Sequence, residues 1–165
     1  YNSLLGTSVT MKLDWEKEEV TLTYLDSELI LSMEDFRIWL AYTDLLLSPI
    51  LPLGTLVELD RELLPEELVS EMEKAKVPFM AMIMGRRLLS DPDDREYIDY
   101  LASIYPYGLR LDVDPLFIPS YLISRVIQEG YSDSLDQTYV DQQYRRDYFQ
   151  HNILSMTHSI EGGDR

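Results

Sequence analysis

Alternating apolar and polar residues mark the beginning of the chain as a small antiparallel meander. Apolar side chains occupy every second position from Val9 to Trp15 and again from Val20 to Tyr24, and the charged residues 16–19 separate the two runs. A period of two around a short polar turn predicts a β-hairpin. Residues 28–32 are a candidate third strand.

A helix is predicted directly after the meander. Ser32 followed by Asp35 is typical of a helix N-cap, where a hydroxyl accepts a hydrogen bond from a free backbone amide. Apolar side chains then fall on one helical face over residues 34–47. Pro49 prevents the helix from continuing.

The second part of the chain alternates between strand and helix patterns. The predicted strands cover residues 55–59, 79–85, 97–105 and 126–129, and the predicted helices cover 65–75 and 134–156. The stretch 79–85 is almost entirely apolar, which indicates a central strand buried on both faces. The helix over 134–156 is predicted from apolar and aromatic residues at spacings of three and four.

These elements predict an α+β fold with an antiparallel sheet and helices packed on one side, an N-terminal β-meander and a long C-terminal helix. We expect three regions: a hairpin or meander plus helix over 1–49, an α+β domain over 50–158, and a flexible tail over 159–165.

Charge and composition exclude several classes of function. The 165 residues carry 14 Lys+Arg against 30 Asp+Glu, a formal net charge of -16. Nucleic acids and anionic membrane surfaces both repel such a chain, so we expect neither as a partner. The absence of cysteine excludes disulfides, thiolate nucleophiles and cysteine-ligated zinc. No apolar run is long enough to span a membrane, and no basic leader precedes an apolar stretch.

The residues that could carry chemistry have simpler interpretations. His151 and His158 are seven apart, whereas a metal pair on a helix needs a spacing of four and a third ligand. Asp112 and Asp114, and the loop acids Asp91, Asp93 and Asp94, could hold a cation such as calcium, but turn formation explains them as well. No phosphate-binding glycine motif occurs. We therefore expect no catalytic residues, no metal and no cofactor.

Tyrosine is the residue type that points to a partner. It supplies contact area and a polar tip at low entropic cost, and it is enriched at interfaces. Ordinary half-buried packing is the alternative. The candidate partner-binding residues are Tyr97, Tyr100, Tyr105, Tyr107, Tyr139, Tyr144 and Tyr148. The methionines at 72, 80, 82 and 84 could line an adaptable surface, but core packing is the simpler interpretation.

Four sequence blocks resemble a known family. They are Ile50–Leu59 with its Pro-Leu-Gly-Thr turn, Met82–Arg86, the segment from Tyr97 to Gly108, and Ile123–Tyr131. In this order they resemble an uncharacterised small-protein family of Firmicutes, a domain of unknown function with a PLGS/T-V motif. Its members are commonly encoded beside type VII secretion genes and LXG-type toxins. An acidic helix over 60–78 departs from the family pattern, and residues before 50 have no counterpart.

This resemblance implies a cytoplasmic, non-enzymatic accessory protein that binds a protein partner, a cognate LXG-type toxin. The implied role is export chaperone or adaptor. An immunity protein that neutralises the toxin domain is the alternative, since an acidic field suits a basic toxin. A metal-dependent enzyme using Asp112 and Asp114 is the remote alternative.

Overall fold

The computed structural model describes residues 8–91 and 93–158. The chain divides into two compact units, with the division between Asp44 and Leu45 inside a helix. The first unit holds the predicted meander, and the second holds the larger sheet. The flexible tail predicted for 159–165 lies outside the described residues.

The first unit is the meander that the alternation predicts. Strands β1 (Val9–Asp14), β2 (Glu19–Tyr24) and β3 (Ser27–Ser32) are antiparallel in the order β1-β2-β3. Helix α1 (Met33–Leu47) follows at once. The Asp35 amide donates to the Ser32 hydroxyl oxygen at 3.0 Å, and that hydroxyl donates to the Asp35 carboxylate at 2.7 Å, so the predicted N-cap is confirmed.

A mainly antiparallel sheet forms the second unit. Its strands are β4 (Leu56–Leu59), β5 (Met80–Leu89), β6 (Glu96–Ile104), β7 (Leu116–Ile118), β8 (Ile123–Gln128) and β9 (Leu154–Ser155). The strand order is β7-β6-β5-β4-β8, and β9 pairs in parallel with the start of β6. Two short 3₁₀ turns, Ser120–Leu122 and Met156–His158, follow β7 and β9.

In the described part of the second unit, two further helices follow α1. Helix α2 (Glu66–Ala75) begins after Pro65 and ends where Lys76 adopts a left-handed conformation with φ of 56°. The second is the C-terminal helix over residues 134–151, which consists of α3 (Ser134–Tyr139), a π-helical segment (Val140–Asp147) and α4 (Tyr148–His151). No helix in the described ranges is long and apolar enough to cross a lipid bilayer.

The core of the second unit lies on one face of its sheet. Val57, Ala81, Ile83, Ala102 and Ile118 come from neighbouring strands and are almost completely buried. Leu68 and Val69 of α2 pack against them, which explains the narrow apolar stripe of that helix. The predicted α+β fold with antiparallel sheets, an N-terminal meander and a long C-terminal helix is confirmed.

Several details differ from the sequence prediction. Strand β8 begins at Ile123, three residues before the predicted strand. The strand predicted over 79–85 continues to Leu89, and it is not buried on both faces, because Met82 is 37% exposed. The C-terminal helix ends at His151 instead of near Met156, since Asn152 adopts a left-handed conformation with φ of 54°. The short strands β7 and β9 were not predicted, because they have too few residues to show a period in the sequence.

Candidate partner-binding surface

The seven candidate tyrosines differ in solvent exposure. Their side chains are buried at Tyr97, Tyr100 and Tyr148, half-buried at Tyr144, and exposed at Tyr105, Tyr107 and Tyr139. A partner that docks on this conformation would reach the exposed ones directly. The partner-binding role of all seven stays a prediction.

Four of these tyrosines meet in a tyrosine–arginine cluster between β5, β6 and the C-terminal helix. The cluster consists of Tyr97, Tyr139, Tyr144, Tyr148, Arg86 and Arg87. Ring centroids are 5.5 Å apart for Tyr97 and Tyr148, 5.7 Å for Tyr148 and Tyr144, and 5.2 Å for Tyr144 and Tyr139. The last two pairs are edge-to-face, the geometry that the ring quadrupoles favour.

The two arginines of the cluster are buried. Arg86 makes a two-pronged ion pair with Asp136 of the C-terminal helix, at 2.7 Å and 3.3 Å, and its guanidinium lies 5.7 Å from the Tyr144 ring centroid. Arg87 lies 5.0 Å from the ring centroid of Tyr97 and donates to the carbonyl oxygen of Tyr144. The hydrogen bonds from Arg86 lower the pKa of Asp136 below its ordinary value. The cluster therefore ties the C-terminal helix to β5 and β6.

The π-helical segment explains how the tyrosines align. A π-helix closes hydrogen bonds between residues five apart, so side chains at that spacing come together. Tyr139 and Tyr144 are five apart, and their rings are in contact. The predicted helix was based on spacings of three and four, which do not indicate this contact. The spacing of five between Tyr139 and Tyr144 was the signal that could have indicated it.

Burial raises the pKa values of Tyr144 and Tyr148. Desolvation, reinforced by Tyr139, raises the pKa of Tyr144 to about 12, although Arg86 opposes the shift. Desolvation also raises the pKa of Tyr148, and the positive charge of Arg87 opposes it. The phenols are therefore uncharged hydrogen-bonding groups at neutral pH.

Replacing Tyr148 with phenylalanine should lower the free energy of unfolding by about 1–2 kcal/mol, because a buried carbonyl loses its donor. The Tyr148 hydroxyl donates to the carbonyl oxygen of Arg87 at 2.8 Å. Tyr131→Phe is the matched control, since Tyr131 is 82% exposed and should lose almost nothing. Urea unfolding followed by far-ultraviolet circular dichroism measures both. Equal stabilities of the two variants would contradict the structural role of the Tyr148 hydroxyl.

Tyr100 lies outside the tyrosine–arginine cluster and makes its own hydrogen bonds. Its hydroxyl accepts a hydrogen bond from the Leu51 amide at 3.1 Å and lies 3.4 Å from the carbonyl oxygen of Pro49. Burial raises its pKa, and the bond from Leu51 opposes that shift. Tyr100 thereby fixes the segment that leads into β4 against the sheet.

The loop after β6 presents two of the three exposed candidate tyrosines. Tyr105 is 44% exposed and Tyr107 is 37% exposed, and Leu109 and Leu111 follow with exposures of 66% and 110%. We call these four residues the β6–β7 loop surface. Arg110 lies between the leucines, with its guanidinium 5.6 Å from the Tyr107 ring centroid. The two tyrosines were predicted as binding residues and the two leucines were not. The alternation of the leucines with Arg110 and Asp112 was the available signal.

The candidate carboxylates have local partners. Asp112 forms an ion pair with Arg110 at 2.5 Å, and the hydrogen bonds of that pair lower the Asp112 pKa. In the β5–β6 loop, Asp91 accepts from the Asp93 amide at 2.9 Å and Asp94 accepts from the Asp91 amide at 2.8 Å. Asp114 is exposed. In the β5–β6 loop, the carboxylates of Asp91 and Asp94 therefore accept the hydrogen bonds of a turn.

The histidines lie near the chain's last helical turns. The Nδ1 atom of His151 is 2.8 Å from the carbonyl oxygen of Asp147, and His158 ends the second 3₁₀ turn. Across residues 8–91 and 93–158 no three side chains of His, Asp or Glu come close enough together to hold a metal ion.

Comparison with protein families matches residues 50–139 to a domain of unknown function, DUF4176. Comparisons with curated proteins and with solved structures find no significant match. The matched residues run from the segment that Tyr100 fixes to the first part of the C-terminal helix, and they include β4 to β8, Arg86 and Asp136. Since this match covers more than half of the sequence, the chain belongs to the DUF4176 family.

Proposed function

We propose that the chain is a non-enzymatic accessory protein of a type VII secretion toxin locus, where it binds a cognate LXG-type toxin in the cytoplasm as an export chaperone or adaptor. The single observation that carries the binding role is the β6–β7 loop surface. Two tyrosines and two leucines on one loop expose large apolar areas to solvent. Exposed apolar patches of this kind mark interaction sites.

The family resemblance supplies the identity of the proposed partner. Members of the similar family are encoded beside LXG-type toxins, and a toxin that awaits export needs a partner to keep its apolar segments from aggregating. Aromatic side chains at the centre and polar side chains at the rim are the usual composition of such contacts. Tyr107 beside Arg110 has this composition.

An immunity protein is the second candidate, and the charge of the chain favours it. A net charge of -16 attracts a basic toxin domain and accelerates encounter. The two roles differ in the part of the toxin that is bound. An adaptor binds the N-terminal LXG region, and an immunity protein binds the C-terminal toxic domain.

Co-purification with separate fragments of the neighbouring toxin tests the proposal. Capture of the LXG region is the expected result. Capture of the toxic domain, together with rescue of growth, would favour immunity instead. Failure to bind either fragment would contradict both roles.

The β6–β7 loop surface should contribute to that binding. Changing Leu109 and Leu111 together to serine should weaken toxin affinity about a hundredfold or more, because each buried leucine is worth about 1.5–3 kcal/mol. Leu63→Ser is the matched control, since Leu63 is 53% exposed on a different loop. Calorimetric titration measures both, and unchanged affinity of the double variant would place the interface elsewhere.

A further inference from the structure

A notch in the outer edge of β6 forms a cavity in the second unit. Strand β5 pairs along one edge of β6. On the other edge β9 pairs at Glu96 and Tyr97, and β7 pairs at residues 100–102. Between these, in the described part of the chain, no strand pairs with this edge at Ile98 and Asp99. The gap is a cavity of about 400 Å³, which we call the edge notch.

Asp99 lies in the edge notch as a buried carboxylate and is 7% exposed. One of its oxygens accepts from the Ser120 amide at 2.7 Å, and the other accepts from the Ser155 hydroxyl at 2.7 Å. The two donors belong to opposite walls of the notch, so Asp99 holds the walls in place. A carboxylate has about four acceptor positions, so two stay available for a ligand.

No ion pair joins Asp99 to a cationic side chain within residues 8–91 and 93–158. Arg87, on the neighbouring strand, donates to the Tyr144 carbonyl oxygen and covers the Tyr97 ring. A buried carboxylate is stabilised when a cation approaches it in a site of low dielectric constant. Among the described residues that line the notch, Asp99 carries the one carboxyl group, and none is a lysine, arginine or histidine.

The walls of the notch suit the stem of a long cationic side chain. Phe117, Tyr121 and Met156 line it with exposures of 59%, 58% and 46%. Aromatic faces attract cations, and methionine adapts to the shape of a ligand. Arginine combines an apolar stem with a planar cation that stacks on aromatic rings and forms paired hydrogen bonds with carboxylates. A neutral apolar group would displace water from the Asp99 carboxylate without replacing the hydrogen bonds that the water makes to it.

We propose that the edge notch receives an arginine side chain of the protein partner, with its guanidinium at Asp99 and its stem between Phe117 and Tyr121. The identity of the partner rests on the proposed function. The preference of the notch for an arginine side chain does not rest on the proposed function, because it can be tested on the protein alone. The overall negative charge favours the approach of a basic segment.

Methionine-methyl NMR of the full chain tests the notch without a toxin. The probe is N-acetyl-arginine amide, and N-acetyl-citrulline amide is its uncharged isostere. We expect a saturable shift of the Met156 methyl signal with the arginine probe and about tenfold weaker binding of the citrulline probe, as for the loss of one charged contact. Equal binding of both probes, or no saturable shift with either, would overturn the proposal.

Variants of the chain assign the binding to the notch. Asp99→Asn should weaken the arginine probe about tenfold, whereas Asp112→Asn, at an exposed aspartate, should leave it unchanged. Tyr121→Ala keeps the test valid if Asp99→Asn does not fold, because Tyr121 is an exposed wall residue. Unchanged probe binding by Tyr121→Ala would overturn the proposal.

The toxin fragments connect the notch to the partner. If a fragment binds, Tyr121→Ala should weaken its affinity as well, and equal affinities would show that the partner's arginine does not enter the notch. If no fragment binds, the proposed function fails while the probe result for the notch stands by itself.

Discussion

Replacing Asp136 with alanine should lower the free energy of unfolding by about 3 kcal/mol. The change leaves Arg86 buried without its carboxylate, and an unpaired buried charge is among the most destabilising defects in a protein. The Arg86 side chain is 5% exposed, whereas that of Asp136 is 24% exposed. We therefore place the effect at the lower end of the range for buried ion pairs.

Asp141→Ala is the matched control for this prediction. Asp141 is on the same helix and pairs with Arg145 at 3.4 Å, but its side chain is 73% exposed. Exposed pairs of this kind contribute about 0.5 kcal/mol or less. Urea unfolding should be followed by circular dichroism, because Trp15 and Trp39 both lie in the first unit. Equal effects of the two alanine variants would contradict the burial of the Arg86–Asp136 pair.

The same ion pair predicts a pH dependence with a definite sign. The pKa of Asp136 is lower in the folded state than in the unfolded state, chiefly because Arg86 donates hydrogen bonds to the carboxylate. The contribution of the ionised Asp136 carboxylate to stability is therefore complete above the pKa of the unfolded state, about 3.9. It is lost as the pH falls through the pKa of the folded state. The difference between wild type and Asp136→Asn should be large at neutral pH and should shrink below about pH 4. A difference that stays constant into acid would show that the lowered pKa contributes nothing.

Local periodicity was sufficient to predict most of the elements. The meander follows from alternation on both sides of one charged turn, and α2 follows from Pro65 and its acidic first turn. These signals lie within single elements, where side chains repeat with the period of the backbone. The α+β class follows from the order of the elements.

Contacts between distant residues account for what the sequence did not predict. Arg86 and Asp136 are 50 residues apart, and Ser155 reaches Asp99 across 56 residues. No local pattern indicates that these partners meet. Seven tyrosines were accordingly predicted as one group because of their residue type, whereas the fold buries three of them and exposes three. Asp99 lies within the block from Tyr97 to Gly108 but was not predicted as a site residue, because its partners Ser120 and Ser155 are distant in the sequence.

The blocks that carry the family resemblance meet in the folded chain. Tyr100 of one block contacts Leu51 of another, and the Gly130 amide donates to the Thr55 hydroxyl at 3.0 Å. Thr55 in turn donates to the Pro52 carbonyl oxygen at 2.7 Å. These contacts stabilise the start of β4 against the end of β8. The motif residues therefore have a structural role.

Gly130→Ala should be the most disruptive single methyl addition to these blocks, with a loss of about 3 kcal/mol or more. A Cβ atom at Gly130 would lie 2.1 Å from the carbonyl oxygen of Leu53 and 2.9 Å from the Thr55 nitrogen. Both are backbone atoms, so the strand ends must separate to make room.

Two alanine variants separate this clash from other effects. Glu129→Ala changes the exposed neighbour and should cost almost nothing. Gly54→Ala has nothing within 4 Å of the added methyl but has a φ of +81°, so it should cost about 1 kcal/mol through backbone strain alone. Urea unfolding should therefore rank the variants Gly130→Ala, Gly54→Ala and Glu129→Ala from least to most stable. If Gly130→Ala were as stable as Glu129→Ala, the backbones of Leu53 and Gly130 could not be in close contact, and the structural role of the motif blocks would be wrong.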